Sequence, residues 1–418
     1  MKIAIYWYRN DLRLIDNPAF SLAAKSCDFL LPVYVHDKKL DATNQWNFLR
    51  VGEHRRAFLN ESLQDLRLQL INLGSNLLEL AGDTRVVLEK FRREHGIEQI
   101  FCEKIEAPEE LDVIQDLIDL GFDVKSIWQS SMLDPQALPF NCNELPNVFT
   151  QFRQQIEKQR LRFTAPIEST GPIPPIPNLQ NSNDLKFNFV SKNFGKLFEG
   201  GEDAANEHMR QYFDRRLVDS YKETRNRLMG IDNSSKFSPW LAHGCISAKS
   251  IAMRLCDYEK QYCANDGTYW LWFELLWRDY FRFLHIKYGN RLYQSKGLSQ
   301  EVANLFDEKS FLQWTAGTTG VRLVDAGMRE LLKTGFLSNR MRQIVASFWI
   351  YEMNGNWQAG AAWFESQLID YDVYSNQGNW LYIAGKGTDP RGGRAFNLTK
   401  QANEHDPDGV YQNMWLND

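Results

Sequence analysis

The spacing of apolar residues divides the chain into two halves with different predicted secondary structure. Over residues 1–128, short apolar runs typical of buried strands alternate with longer amphipathic segments typical of helices. The runs are Ile3–Tyr8, Phe29–Val35, Asn76–Leu80, Gln99–Cys102 and Asp123–Trp128, and the amphipathic segments are Glu53–Leu73, Thr84–His95 and Pro108–Leu120. This alternation predicts a parallel sheet wrapped by helices, so residues 1–130 are interpreted as an α/β domain.

Regular periodicity weakens after this domain and then returns as a helical pattern. The run Gly171–Pro177 (GPIPPIP) is a stiff, polyproline-like connector, and Asn141–Glu157 contains a capped helix start. Residues 131–200 are therefore predicted to be a long interdomain linker. Over residues 201–418 Pro is sparse and apolar residues recur every three or four positions, which predicts an all-α domain.

Composition narrows the class of function. The 418 residues carry a net charge of −5, so a nucleic-acid contact would have to come from a local basic patch. Six scattered cysteines without a C-x-x-C pair argue against zinc and iron–sulfur sites, and no metal site is predicted. The sequence shows neither a signal h-region nor an apolar run long enough to span a membrane, so a cytoplasmic protein is expected. Ten of the 13 tryptophans lie between Trp240 and Trp415, where stacking or electron relay is an alternative to packing.

The loop after the fourth predicted strand is a candidate small-molecule site. No G-x-G-x-x-G follows the first strand, so the dinucleotide fingerprint is absent. Ligands of parallel sheets bind beyond the carboxyl ends of the strands, which places Glu103–Glu110 at such a site. Glu109 is the candidate carboxylate. An acidic residue at a helix N-terminus, after Pro108, is an equally good interpretation.

A turn followed by a helix is predicted around two arginines in TGFLSNRMRQIVASF. Gly335 allows the turn and Ser338 is a suitable N-cap. The first helical turn then contains Asn339, Arg340 and Arg342. Cations are unfavourable near a helix N-terminus because the helix dipole is positive there, so the two arginines need anionic partners.

The stretch LIDYDVYSNQGNW offers such partners in Asp370 and Asp372. They are followed by a turn-like Ser375–Gly378, which contains Asn376, and then by Trp380. An arginine facing paired aspartates beside an amide and an indole would hold a flat, polar, redox-active ring. An ordinary helix–helix ion pair in a domain core is the alternative, and spacing alone favours it.

Three further features of the helical half are candidate sites. Ser234, Ser235 and Ser238 precede a helix with Pro239 at its first position, where hydroxyls and free amides form an anion site that Tyr221 would join. A plain serine-capped helix is the alternative. The glycine-rich loop Gly385–Asn397 carries cations suited to the phosphates of a strand, although its composition equally fits a solvated loop. These cations are Lys386, Arg391 and Arg394.

The run WLWFELLWRDYF is predicted to be a helix with an unusual face. Glu274, Trp277 and Arg278 are spaced so that they share that face. A carboxylate, an indole and a guanidinium are poor core material and suit a pocket that stacks one flat group and hydrogen-bonds another. An interface salt bridge beside a tryptophan is the alternative.

Taken together, these motifs resemble the photolyase/cryptochrome flavoproteins. The resemblance rests on NSSKFSPWLAHG, FELLWRDYF, TGFLSNRMRQIVASF, LIDYDVYSNQGNW and GTDPR–RAFN, and extends from WYRNDLRLIDNPAF to the terminal DPDGVYQNMW. Within the family the chain is similar to the cryptochrome-DASH branch, through NELPNVFTQFR, Gln343 and Tyr382.

The resemblance implies a set of functional residues in the helical domain. It implies that FAD is bound by Tyr221, Ser234, Ser235, Lys236, Phe237, Ser238, Arg278, Asn339, Arg342, Asp370, Asp372 and Asn376. It implies catalytic roles for Glu274, Trp277, Asn339 and Asn376, and DNA contacts from Arg225, Trp277, Arg340, Tyr382 and Arg394. It implies an electron relay through Trp380 and Trp357, and a methenyltetrahydrofolate antenna with Glu109 as the nearest candidate contact.

The activity implied by the resemblance is light-dependent repair of cyclobutane pyrimidine dimers by electron transfer from excited reduced FAD. The implied substrate is single-stranded or locally opened DNA with a flipped-out dimer, and RNA is a further candidate partner. The alternatives are a blue-light photoreceptor that binds nucleic acid without repair, and a plain electron-transfer flavoprotein. Repair of six-four photoproducts is not expected, because Phe336-Leu337-Ser338 contains no histidine.

The sequence departs from the family pattern at two places. Asn304 stands where the family usually carries a tryptophan, so the outer relay step is expected to be missing or replaced by Phe306, Trp314 or a tyrosine. Thr319–Arg322 (TGVR) replaces the family's Thr-Gly-Tyr-Pro, and the following helix therefore loses a proline start.

Overall fold

The N-terminal half folds as a five-stranded parallel sheet. The computed structural model describes residues 2–161, 163–168, 171–178 and 197–417. The strands are β1 (Ile3–Tyr8), β2 (Phe29–Asp37), β3 (Leu78–Gly82), β4 (Gln99–Glu103) and β5 (Asp123–Ile127), in the order β3-β2-β1-β4-β5. All strand pairs are parallel. The α/β prediction is confirmed, and the predicted strand ends differ from the observed ones by two residues or fewer.

Helices cover both faces of this sheet. They are α1 (Pro18–Ser26), α2 (Glu53–Asn72), α3 (Thr84–His95) and α4 (Pro108–Asp119). Alternate residues of β1 enter different cores: Tyr6 and Tyr8 pack in one, and Ile5 and Trp7 pack in the other. Because both faces of β1, β2 and β4 are buried, these strands read as apolar runs, which is why the sequence revealed them. Helix α1 is too short for the periodicity to have predicted it.

The described residues of the predicted linker contain one α-helix, α5 (Phe149–Lys158). Asn141 does act as a cap, but of a short 3-10 turn at Cys142–Glu144, and α5 begins without a side-chain cap. The polyproline-like run Gly171–Pro177 has no regular secondary structure. Residues 162, 169–170 and 179–196 of the predicted linker lie outside the described residues.

The C-terminal half is helical, as predicted. Its α-helices are α6 (Glu202–Asp214), α7 (Tyr221–Thr224), α8 (Ser238–His243), α9 (Ala248–Tyr262), α10 (Asp266–Tyr288), α11 (Glu308–Thr315), α12 (Arg322–Thr334), α13 (Asn339–Ser347), α14 (Trp357–Gln367), α15 (Val373–Ile383), α16 (Leu398–His405) and α17 (Val410–Leu416). Helix α10 begins at a capping box formed by Asn265 and Thr268, and contacts α5, α7, α9 and α15. Among the helices of the described residues, none has the length and hydropathy needed to cross a bilayer.

The loop after β1 joins the two halves. Gly244, at the end of α8, has φ 69°, and a Cβ there would lie 2.0 Å from the carbonyl oxygen of Asn10. The buried Arg13 donates from Nη1 to the carbonyl oxygen of Gly244 (3.0 Å), and the Leu14 amide donates to the Glu202 carboxylate (2.7 Å). The carboxyl edge of the sheet is thereby fixed against the helices that carry the candidate site.

Candidate functional site

Helix α13 begins as the sequence predicts. Gly335 ends α12 in the left-handed conformation with φ 68°, and the Ser338 hydroxyl accepts a hydrogen bond from the Met341 amide. Met341 and Val345 are fully buried, so the apolar face of α13 fixes the direction of its first turn. Arg342 is therefore held at the end of a rigid element, with its charge near a helix N-terminus.

Arg342 finds its anionic partner in Asp370. Its Nη2 atom lies 2.8 Å from Oδ2 of Asp370, and its Nε atom donates to the carbonyl oxygen of Leu337 (2.9 Å). The Asp370 side chain is 1% exposed. Its Oδ1 atom is buried and has no hydrogen-bond partner within the described ranges of the chain. A buried carboxylate oxygen without a donor is unfavourable, so this atom suits a bound group that carries an N–H.

Asp372 pairs with Arg282 rather than with the arginines of α13. Nη2 of Arg282 lies 2.5 Å from Oδ2 of Asp372, and Oδ1 of Asp372 accepts from the Ser375 amide (2.8 Å). Burial raises the pKa of Asp372, but the charges of Arg282 and Arg278 outweigh this and lower it to about 2. Arg282 is buried and was missed by the sequence analysis. Arg342, Asp370, Arg282 and Asp372 are called the inner cluster below.

The predicted turn at Ser375–Gly378 is wrong, because these residues lie inside α15. Asp372 caps this helix, and the cap overrides the local turn preference of Asn376 and Gly378. A Cβ on Gly378 would lie 2.2 Å from the Phe281 ring, so this glycine permits close helix packing. Asn376 is half-buried and donates from Nδ2 to the carbonyl oxygen of Ala361 (3.0 Å). Asn339, at the start of α13, is exposed.

The serine segment does not cap a helix with its side chains. The N-cap of α8 is Phe237, without a side-chain hydrogen bond, so the serine-capped helix is not observed. Lys236 has φ 52°, and its ammonium lies 5.1 Å above the Phe336 ring. Burial lowers the pKa of Lys236. The remaining members of the segment differ in exposure: Ser234 and Ser235 are half-buried, Ser238 is exposed and the nearby Tyr221 is buried.

Arg278 has different partners from the other two residues of the predicted α10 face. It donates to the carbonyl oxygens of Ser130 and Leu241, the latter at 3.2 Å. Burial, followed by the charge of Arg282, lowers the pKa of Arg278 to about 10. Glu274, Trp277 and Arg278 all lie inside α10 at the predicted spacing, and Arg278 bridges α10 to the linker and to α8.

Glu274 and Trp277 lie with partners from three other elements. Arg225, directly after α7, makes an ion pair with Glu274. The Trp277 ring stacks on Phe149 of α5, with ring centres 3.7 Å apart and planes 12° apart. Tyr382 of α15 meets Trp277 edge-on at 5.6 Å. Arg225, Glu274, Trp277 and Tyr382 are called the rim cluster below, and Phe149 covers one face of its indole.

The remaining basic side chains predicted to contact DNA phosphates differ in the partners that they already have within the protein. Arg394 pairs with the buried Asp389 at 2.8 and 3.0 Å and donates to the Tyr382 hydroxyl (2.8 Å). Lys386 donates to the carbonyl oxygen of Glu301 (2.7 Å), so this bond ties the glycine-rich loop to the segment that precedes α11. Arg340 donates to the Asn226 side chain at 3.2 Å, and its buried Nε has no partner in the part of the chain that is described.

The tryptophans of the predicted relay are buried. Trp380 lies 6.3 Å from Trp314, which stacks on Trp349 at 5.1 Å. Nε1 of Trp357 donates to the carbonyl oxygen of Ser295 (2.9 Å). Asn304 accepts at its carbonyl oxygen from the Asn356 side chain (2.8 Å), directly before Trp357. An amide chain thus occupies the neighbourhood of Trp357 where the family pattern places an aromatic ring.

A cavity of about 780 Å³ lies beyond the carboxyl ends of β4 and β5. Lys104 and Glu106, from the loop predicted to line a site, lie on its wall and form an ion pair at 2.5 Å. Trp128 and Phe140 provide aromatic surface. Glu109 is not part of this wall: its side chain is 65% exposed and pairs with Arg50 at 2.6 Å.

The described residues contain no group of three or more His, Cys, Asp or Glu side chains arranged to hold a metal ion.

Comparison with known proteins agrees with this architecture. The family described as DNA photolyase matches residues 4–175, and the FAD binding domain of DNA photolyase matches residues 270–418. The Arabidopsis thaliana protein named cryptochrome DASH, chloroplastic/mitochondrial, is 43% identical over 99% of this chain and 75% of its own length.

Solved structures of a cryptochrome and a photolyase also resemble this chain. The crystal structure of a Synechocystis sp. cryptochrome superposes with a TM-score of 0.94 at 40% identity, covering 100% of this chain and 89% of that one. A bacterial class III photolyase from Agrobacterium tumefaciens superposes with a TM-score of 0.83 at 27% identity, covering 99% and 86%. The chain belongs to the photolyase/cryptochrome family, and within it to the cryptochrome-DASH branch.

Proposed function

We propose that this protein is an FAD-dependent photolyase that repairs cyclobutane pyrimidine dimers in light, preferentially in single-stranded or locally opened DNA. The observation that carries the proposal is the rim cluster, in which a carboxylate, an indole and a phenol lie on α10 and α15, the helices that also carry Arg282 and, as N-cap, Asp372 of the inner cluster. This combination suits a cyclobutane dimer of two adjacent pyrimidines next to a flavin. The preference for single strands rests on the family resemblance.

The residues present fit FAD. The partnerless Oδ1 atom of Asp370 suits an N–H of the flavin ring, and the Arg342 guanidinium beside it suits a ring that gains negative charge. Lys236, with its desolvated ammonium, would meet the pyrophosphate. The proposed FAD contacts are Tyr221, Ser234, Ser235, Lys236, Phe237, Ser238, Arg278, Asn339, Arg342, Asp370, Asp372 and Asn376. When bound, FAD would supply the light-driven electron, and the protein would supply position and electrostatics.

The rim cluster would receive the lesion. Phe149 covers one face of Trp277, so the dimer would use the remaining surface of the indole, with Tyr382 on its edge. A dimer pairs poorly, which lowers the cost of flipping it out of a helix. Glu274 would hydrogen-bond the dimer as it gains charge, and Asn339 and Asn376 would orient the reacting groups. The proposed phosphate contacts are Arg225, Arg340 and Arg394.

Reduction of the flavin would proceed through Trp380 and Trp357. Asn304 removes the usual outer tryptophan, so we expect slower photoreduction than in a protein with three ring steps. Repair does not pass through the relay and would be unaffected. Trp380→Phe should abolish photoreduction of the oxidised flavin, and an unchanged rate would refute the assignment.

We propose the 780 Å³ cavity as the site of a methenyltetrahydrofolate antenna. Its volume suits a ligand of this size, and Glu106 supplies a carboxylate for the pterin N–H groups. Glu109, which is not part of the cavity wall, remains a candidate contact of the antenna. Gently purified protein should show a near-ultraviolet band beyond that of flavin, and this band should be reduced by Glu106→Gln more than by Glu109→Gln. Equal bands in both variants and wild type would contradict the assignment.

A blue-light photoreceptor that binds DNA or RNA without repair is the alternative, because the same rim cluster would hold an undamaged base. We propose that the protein is located in the cytoplasm. An organelle is the alternative, suggested by the name of the Arabidopsis relative.

The test is light-dependent loss of thymine dimers from single-stranded and duplex oligonucleotides. Reduced wild-type protein should repair both, and the single strand faster. Trp277→Ala should lose about 1–3 kcal/mol of stacking on the dimer, and Glu274→Ala should repair fewer dimers per photon. Trp272→Ala, on the same helix but in contact with Tyr269 (6.0 Å), is the matched control and should repair normally. No repair of either substrate by the wild type would favour the photoreceptor.

A further inference from the structure

Arg225 is held on two sides by groups of this chain. Its Nη1 atom bonds Oε1 of Glu274, and its Cζ atom lies 4.6 Å from the centre of the Trp270 ring. The side chains of Arg225 and Glu274 are 19% and 30% exposed. The guanidinium is therefore accessible from solvent but already engaged by a carboxylate.

A second arginine lies close to this pair. Burial, followed by the charge of Arg225, lowers the pKa of Arg340. Arg340 bonds Asn226, the residue next to Arg225, rather than an acid. Arg225 is thus engaged by Glu274, whereas Glu404 is the acid whose charge acts on Arg340. An anion that approaches both arginines would be attracted, but it would have to replace Glu274 at Arg225.

We propose that Glu274 and a backbone phosphate compete for Arg225. In the free protein Glu274 occupies the guanidinium. When a strand binds, a phosphate takes Arg225 and Glu274 is released toward the base. This inference rests on the proposed function for the identity of the anion, a phosphate of single-stranded DNA, and adds an inhibitory role for a carboxylate otherwise assigned to the lesion.

The competition couples strand binding to the uptake of a proton by Glu274. Burial raises the pKa of Glu274, and the Arg225 charge and hydrogen bond lower it again. A phosphate that removes Arg225 therefore raises the pKa of Glu274, and the bound state takes up a proton. The other titratable group that faces Glu274 is Tyr221, whose raised pKa keeps it neutral. Strand affinity of the wild type should consequently fall as the pH rises, and the affinity of Glu274→Gln should not.

The test measures dark binding of a fluorescently labelled, undamaged thymidine oligonucleotide by anisotropy, as a function of salt. Glu274→Gln should bind about two- to fivefold more tightly than wild type, as expected for loss of a partly exposed competing ion pair. Both bound states place a phosphate on Arg225, so the slope of log K against log[salt] should stay the same. The gain in affinity should disappear when Arg225→Gln is added, because position 225 then has no guanidinium for the phosphate to bind.

Glu207→Gln is the matched control. It removes the same charge from another acid–arginine pair, Glu207 with Arg210 at 2.6 Å, and should bind like wild type. Equal affinities of Glu274→Gln and wild type, or a gain that persists with Arg225→Gln, would overturn the proposal. Thermal unfolding of each variant verifies that it is folded.

The assay uses neither light nor a dimer. A protein that fails to repair but shows the Arg225-dependent gain would refute the proposed function alone, and active repair without the gain would refute this inference alone.

Discussion

The inner and rim clusters use the same kind of ion pair in different surroundings. In the inner cluster, the Asp370 carboxylate is 1% exposed and Arg342 is fixed by the rigid start of α13. In the rim cluster, Glu274 is 30% exposed and Arg225 lies in a short connection after α7. A pair whose carboxylate is buried is costly to break, because it leaves an uncompensated charge, whereas a pair in which both side chains are partly exposed contributes less. The inner pair is therefore suited to a fixed scaffold, and the rim pair to exchange of partners.

The largest expected difference between the clusters is in stability. Asp370→Ala leaves Arg342 without its partner and should lower the free energy of unfolding by about 3–5 kcal/mol. Glu274→Ala should lower it by less than about 1 kcal/mol. Urea denaturation of the two apoproteins measures both, and equal losses would remove the distinction between the clusters.

The second-largest effect is a pH dependence of the stability of the folded protein, caused by Glu330. Glu330 accepts from the Tyr411 hydroxyl, and burial raises its pKa to about 7. The unfolded chain ionises this group near pH 4.5, but the folded protein does so only near pH 7, so its contribution to stability is lost as the pH rises between these values.

Glu330→Gln does not titrate and can still accept from Tyr411. At pH 8 it should be more stable than wild type by about 2–3 kcal/mol, and at pH 4.5 the difference should vanish. Thermal unfolding across this range is the measurement. A variant that is less stable than wild type at pH 8 would mean that the Glu330 carboxylate is charged and required.

The smallest effect concerns the support of the rim cluster. Phe149→Leu removes the ring that stacks on Trp277 but keeps the apolar volume, and aromatic pairs of this kind contribute about 0.5–1.5 kcal/mol. Dark affinity for a dimer-containing strand should fall by a corresponding factor, while FAD content stays unchanged. Phe140→Leu, which is 6.3 Å from Phe152, is the control. A loss of FAD with Phe149→Leu would show that the two clusters are not independent.

The sequence predicted the sheet and the pairing of Arg342 with an aspartate, because both depend on local signals. Doubly buried strands read as apolar runs, and a cation at a helix N-terminus demands an anion. Arg282 was missed because it lies in an apolar part of α10 and its partner Asp372 is ninety positions away. No local pattern links them.

Tertiary contacts also explain the error of local reasoning at the predicted turn. Asn376 and Gly378 have turn preferences, but capping by Asp372 and close packing of Phe281 make the segment helical. The partners of Arg278, carbonyl oxygens of the linker and of α8, lie far away in sequence and could not be predicted from spacing. The stacking of Phe149 on Trp277 joins segments that the sequence assigns to different units, so their spacing could not reveal it.

Titration of three apoproteins with FAD tests the division between the clusters most directly. Asp370→Asn keeps the size of the side chain but removes the charge opposite Arg342, and should raise the dissociation constant of FAD at least about tenfold, or about 1.4 kcal/mol. Glu274→Gln should bind FAD within about twofold of wild type, because Glu274 is not a proposed FAD contact and its partly exposed ion pair contributes little. Unchanged FAD affinity in Asp370→Asn, or an equal loss in both variants, would contradict the assignment of the inner cluster to the flavin and of the rim cluster to the strand.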